Sequence, residues 1–211
     1  LKSPHYYFIV NENLDEAVHA VNNGAHQVEI CRDLAHDGLT PDENELIKII
    51  STIKIPCKVM IRSRAGDFFY THEEIQDMIR EIQRLKSYRI DGFVFGALSH
   101  GDIGNITLDM ASVYQICKAA YPIPVTIHKA IDLCTDILKE VEKLKNVNNV
   151  KFILSSGGAK DAASGLQTLN AMQKQAGDSL QVIAAGKITK DNLPSLSKKL
   201  KLNYFHGRKI V

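Results

Sequence analysis

One pattern recurs along this chain and constrains its fold more than any other feature. A short β-branched or aromatic run is followed by a turn and then by an amphipathic, helix-like stretch. Strand-like runs fall at residues 6–10, 27–31, 58–62, 92–96, 125–128, 150–155, 180–184 and 203–206. Helix-like stretches at 13–21, 42–50, 73–86, 108–119, 136–145, 161–173 and 191–200 separate them. The clearest puts Ile75, Met78, Ile79, Ile82 and Leu85 on one face, and Thr71-x-x-Glu74 reads as the capping box that opens it. The ends of strands two to eight, near Glu29, Arg62, Gly96, His128, Ser155, Ala185 and His206, lie 33, 34, 32, 27, 30 and 21 residues apart. Such alternation implies parallel strands with right-handed crossovers. Eight repeats predict an α/β, TIM-type (β/α)8 barrel over residues 1–211, with no linker or composition shift to mark a second domain. An open doubly wound sheet would need a Gly-rich turn after the first strand, and Val10-Asn11-Glu12-Asn13 is nothing like one. The sequence stops soon after strand eight, so the eighth helix is expected to be missing or truncated. Another element or a second subunit would then cover the gap, which makes a homo-oligomer the expectation.

Composition excludes several classes. Hydrophobic residues make up 45% of the 211, and charged residues 24%, an ordinary globular balance. No apolar run approaches the roughly 20 residues that span a bilayer. A net charge of +2 is too weak to argue for nucleic acid or an anionic membrane as a partner. The cysteines Cys31, Cys57, Cys117 and Cys134 form no C-x-x-C pair, so zinc-ribbon and thioredoxin readings fail, and their thin spread points to a reducing compartment. The sequence begins Leu1-Lys2-Ser3-Pro4, with neither an initiator Met nor a signal-peptide pattern. A few residues are expected to be missing there, and the cytosol is the expected compartment.

Alternation along strands predicts which side chains face inward. Val28 and Ile30 oppose Gln27, Glu29 and Cys31. Val59 and Ile61 oppose Lys58, Met60 and Arg62. Val125 and Ile127 oppose Thr126 and His128, and Phe205 opposes Tyr204 and His206. The apolar sets must contact the helices. Glu29, Cys31, Arg62, His128 and His206 therefore converge on the C-terminal mouth, where such barrels carry their sites. Internal ion pairs, Glu29 with Arg62 for instance, are the plain structural alternative.

The loops after the strands add anion chemistry. Arg62 and Arg64 present guanidinium forks suited to carboxylate or phosphate. His128 is a candidate general acid/base, with Asp132 and Glu29 as supporting carboxylates. Ser155, Gly157 and Gly158 form a small-residue turn whose N–H groups could reach an anion. Lys187 and Arg208 follow strands seven and eight, where barrels often hold phosphate. Glycine also simply makes turns, so each loop has a structural reading as well. Among the thiols only Cys31 falls at a strand's C-terminal end. Cys134 follows strand five near the same mouth, Cys57 belongs to the opposite end, and Cys117 lies in a helix.

Several segments together resemble one known family. They are Val28-Glu29-Ile30-Cys31, Asp37-Gly38-Leu39-Thr40-Pro41, Val59–Phe68, Asp91–Leu98, Thr126–Asp132, Leu154–Gly158 and Phe205-His206-Gly207. In order and spacing they are similar to the CutC copper homeostasis family over nearly the whole chain. The resemblance implies a cytosolic TIM barrel linked to copper tolerance and binding Cu(I). It makes Cys31 the foremost soft ligand and matches His206 to the family's last-strand histidine, a second metal candidate. Where family members often carry another cysteine near the end of strand one, this chain reads Phe8-Ile9-Val10-Asn11. The family's His-Arg is His128-Lys129 here, its three-glycine turn is Ala185-Gly186-Lys187, and Arg208 replaces a small residue.

Three functions follow as expectations. The first is a Cu(I)-binding homeostasis protein using Cys31. The second is an enzyme acting on a small anionic or phosphorylated metabolite, with Arg62 and Arg64 as clamp and His128 moving a proton. The third is a barrel acting through subunit contacts.

Overall fold

The computed structural model describes residues 5–211; the N-terminal segment Leu1 to Pro4 lies outside the described residues. Eight parallel strands close into a barrel: β1 (Tyr6–Asn11), β2 (Gln27–Ile30), β3 (Cys57–Met60), β4 (Gly92–Phe95), β7 (Val125–Ile127), β8 (Val150–Ser155), β9 (Gln181–Ala184) and β10 (Tyr204–Gly207). The β1–β10 ladder, Tyr6 with Tyr204 through Ile9 with Gly207, completes the cylinder. Seven helices pack outside it: α1 (Leu14–Asn22), α2 (Glu43–Thr52), α3 (His72–Leu85), α4 (Met110–Ala120), α5 (Ile137–Leu144), α6 (Leu166–Ala176) and α7 (Leu193–Lys199). The expected TIM-type barrel with seven helices is the observed architecture.

The expected helix over 73–86 is α3. Thr71 accepts from the Glu74 N–H while the Glu74 carboxylate accepts from the Thr71 N–H, and the helix buries Ile75, Met78, Ile82 and Leu85. Each such side chain removed from water contributes about 1.5–3 kcal/mol. Two expectations need correction. The helix over 108–119 starts later, because β5 (Leu98–His100) and β6 (Ile106–Leu108) form an antiparallel hairpin above β4. The helix over 161–173 starts at Leu166, because residues 159–165 turn tightly beneath the Ser155–Gly158 loop. A Cβ on Gly165 would lie 1.8 Å from the Ser156 carbonyl oxygen.

Outward side chains such as Val28, Ile30, Val59, Ile61, Val125, Ile127 and Phe205 join the helices in one large core. Inward side chains divide into two smaller apolar groups. Phe8, Leu154, Ile183 and Ala185 form one, with Tyr6, Phe152 and Tyr204 packed against it. Val10, Cys31, Met60 and Val94 form the other. The polar inward residues, Glu29, Lys58, Arg62, Thr126 and His128, are all buried. Glycines at the start of β4 and just after its end make room for two of them. A Cβ on Gly92 would meet Lys58 Cγ at 2.9 Å, and one on Gly96 would meet His128 Nδ1 at 2.6 Å.

Candidate functional site

A cavity of about 660 Å³ opens at the C-terminal ends of the strands. Glu29, Cys31, Met60, Arg62, His128 and His206 line its depth, and Lys129, Asp132, Lys187, Arg208 and Lys209 line its rim. All five inward polar residues expected at the mouth therefore meet in one space. The alternation that turns Val28, Val59, Ile127 and Phe205 toward the helices turns these residues inward.

Glu29 does not pair with Arg62. Its carboxylate lies 3.4 Å from His206 Nε2, close enough for an ion pair but without hydrogen-bond geometry, so His206 Nε2 keeps no hydrogen-bond partner. Burial alone would raise the Glu29 pKa; His206, then Lys58 and His128, more than offset this and hold it below the usual carboxylate range. Deeper in the barrel, Lys58 Nζ donates to Thr126 Oγ1 at 2.8 Å and sits 3.9 Å from the Phe152 ring centroid. Burial pushes that ammonium down to about 7, against the opposing pull of Glu29.

Arg62 is committed on its terminal nitrogens. Nη1 donates to the carbonyls of His36 (2.7 Å) and Gly38 (3.2 Å), and Nη2 to that of Gly66 (2.8 Å). The N–H groups left over are that of Nε, buried and unpartnered, and one of the two on Nη2. A bidentate anion clamp from this side chain is thus replaced by a brace for two loops with one free N–H edge. Arg64 does not reach the cavity. Its guanidinium is held by Glu74 at 2.5 Å and Asp67 at 3.1 Å, donates to the Phe69 carbonyl and packs over Tyr70. The acidic N-terminal turn of α3 captures it, because Glu74 is already positioned there by the capping box.

His128 is buried against Phe68, ring centroids 4.9 Å apart. Its Nδ1 accepts from the Ala130 N–H at 3.1 Å, which places the proton of the neutral ring on Nε2. Burial, reinforced by the Arg62 charge, brings its pKa down to about 4. At neutral pH it is an uncharged N–H donor, a poorer proton acceptor than the expected general base.

Asp132 stands in for the anion that the glycine-rich loop was expected to bind. Its Oδ1 accepts from Ser155 Oγ (2.5 Å) and the Gly158 N–H (2.9 Å). Its Oδ2 accepts from the Ser156 N–H (2.8 Å) and Ser156 Oγ (2.9 Å), while the Gly157 N–H donates to Ser155 Oγ. The donors of Ser155, Gly157 and Gly158 are spent inside the chain, and so is the Asp132 carboxylate. Of the remaining rim cations, Lys187 is exposed and Arg208 is paired with Glu16 (2.7 Å) and Glu12 (3.3 Å).

Cys31 is fully buried on the cavity wall, its Sγ 3.8 Å from the Asn11 carbonyl. Burial, followed by the charges of Glu29, Glu12 and Glu16, raises its thiol pKa strongly. Cys57, Cys117 and Cys134 are also buried and unpaired, but none lines the cavity; Cys134, expected near the mouth, packs in the outer core instead. Among the described residues, no three His, Cys, Asp or Glu side chains cluster closely enough to hold a metal ion.

The model of the CutC family matches residues 8–211. The chain belongs to the CutC family. Among its CutC relatives, the copper homeostasis protein cutC homolog of Homo sapiens is 34% identical over 196 residues, covering 92% of this chain and 70% of the relative. A CutC family protein of Glaesserella parasuis is 34% identical over 195 residues, covering 92% of this chain and 78% of the other. A CutC crystal structure from Streptococcus agalactiae superposes with a TM-score of 0.89 at 23% identity, covering 98% of this chain and all of that one, a likeness of fold.

Within this CutC mouth, alternation missed the weight of Met60. The ladder pairs Glu29 with Lys58 and Ile30 with Val59, which brings Cys31 and Met60 to neighbouring inward positions. They share one buried cluster. Counting M-x-x-M motifs hides this, because the two side chains come together across strands; reading the inward face of β3 for sulfur as well as charge would have found it.

Proposed function

We propose that this CutC chain takes part in copper homeostasis by taking up Cu(I) as cargo at the C-terminal mouth, in the reducing cytosol. The carrying observation is that Cys31 is the one thiol of four that faces the cavity. Thiolate and thioether sulfur are the ligands that select Cu(I). Cys31 would supply the thiolate and Met60 the thioether, with His206 as a nitrogen donor lining the same cavity. No second cysteine is needed for this set, which accommodates Phe8-Ile9-Val10-Asn11 on strand one. Four unpaired thiols agree with a reducing compartment.

Competition against a chromophoric Cu(I) chelator tests the reading. Wild-type chain should bind Cu(I), Cys31→Ser should lose about a hundredfold in affinity, and Met60→Leu about tenfold. Equal affinity in wild type and Cys31→Ser would remove the site.

A further inference from the structure

Among the described residues, four buried side-chain polar atoms have no hydrogen-bond partner: Arg62 Nε, Tyr70 Oη, His128 Nε2 and His206 Nε2. Three of those four residues line the same cavity. A buried donor left unpaired costs about 1–3 kcal/mol, and folded proteins tolerate few of them. Three such unpaired polar atoms in one space mark a place built to receive a polar ligand.

The identity of each free group follows from what holds the rest of its side chain. The terminal nitrogens of Arg62 are fixed on the carbonyls of His36, Gly38 and Gly66, so its Nε–H is a rigid, permanently charged donor. The Ala130 N–H occupies His128 Nδ1, so Nε2 carries the other donated proton. Phe68 links the two, with Arg62 Cζ 4.8 Å from its ring centroid and the His128 ring 4.9 Å away. The same cavity holds Glu29, whose carboxylate accepts no hydrogen bond from the described residues and lies 3.4 Å from His206 Nε2. The cavity thus pairs donors with an acceptor-and-donor couple.

We infer that the mouth binds a small 2-hydroxycarboxylate, its carboxylate accepting from Arg62 Nε–H and His128 Nε2–H and its hydroxyl lying between Glu29 and His206. A phosphate ester fits less well. The backbone N–H groups that would cradle it, those of Ser156 and Gly158, are already spent on Asp132, and the buried Glu29 carboxylate disfavours a dianion. Val10, Met60 and Leu154 on the wall suit the carbon skeleton of a compact acid. This site shares His206 with the copper reading but takes nothing from Cys31, so a Cys31 variant separates the failure of one from the failure of the other.

The test uses the full chain with 15N-labelled histidine, titrated with lactate, propionate and inorganic phosphate while the imidazole nitrogens are followed by NMR. Lactate should shift the Nε2 signals of His128 and His206 saturably, with propionate and phosphate each about tenfold weaker. His128→Asn keeps an acceptor for the Ala130 N–H but loses the cavity donor, and should weaken lactate about tenfold. His128→Gln, which restores an N–H at that reach, should recover most of the affinity. Cys31→Ser should bind lactate as wild type does, whatever becomes of Cu(I). No shift at His128 with lactate, phosphate binding tighter than lactate, or full lactate affinity in a folded His128→Asn would each overturn the inference.

Discussion

His128 shows how a single side chain couples this fold to pH. Its folded pKa near 4 lies below the 6.5 of an unfolded histidine. Between those values the unfolded chain binds more protons, so stability is full above about pH 6.5 and falls as the pH drops toward 4. The loss should reach about 3 kcal/mol over that window. Urea midpoints measured from pH 7 to 4 should show His128→Asn losing that much less than wild type. Parallel slopes for the two proteins would mean that the ring is not buried neutral. Cys31 carries an analogous linkage to metal. Its thiol is held protonated by burial and by Glu29, so Cu(I) must displace a proton and affinity should rise about tenfold per pH unit between pH 6 and 8. A flat profile would point to a ligand that does not ionise.

At the level of elements, Gly96 just after β4 and the loop after β8 determine what the mouth can hold. A Cβ at residue 96 would stand 2.6 Å from His128 Nδ1, so Gly96→Ala must displace the ring or the strand. Overpacking of this kind costs about 1–3 kcal/mol, and thermal denaturation should report it together with a moved His128 resonance. The Ser155–Gly158 loop is tied to the turn at Lys129–Leu133 by four hydrogen bonds to one carboxylate. Asp132→Ala leaves those donors facing nothing and should destabilise by about 2–4 kcal/mol; Asp132→Asn should cost less. An unchanged melting temperature in Asp132→Ala would show that water replaces the carboxylate without penalty. Periodicity could not anticipate either the hairpin of β5 and β6 or the late start of α6. Both arise where a loop folds back on a neighbouring element, and no local pattern encodes that return.

For the whole molecule the β1–β10 ladder is the closing step. It brings His206 beside Glu29, residues distant in sequence, and seals two strands that would otherwise present open edges. A chain ending at Leu202 should lose its cooperative unfolding transition and associate through the exposed edges of β1 and β9; circular dichroism and light scattering would show this. A monomeric, cooperatively folded truncation would mean that the remaining strands do not need closure. The interior has a second consequence. Lys58 is buried with its pKa near 7, below its unfolded value, so stability should climb as the pH rises from about 7 toward 10.

The sequence by itself determined the repeating strand–helix unit, the parallel barrel and the convergence of Glu29, Cys31, Arg62, His128 and His206 on one mouth. Those follow from periodicity, because a strand buried on both faces must send alternate residues to different environments. Tertiary structure alone decided who partners whom. Arg62 turned to backbone carbonyls, Arg64 to Glu74, and Asp132 to the glycine-rich loop, while Met60 came beside Cys31. Charged groups take the nearest complementary atoms that closure delivers, and those distances exist only once the cylinder is shut.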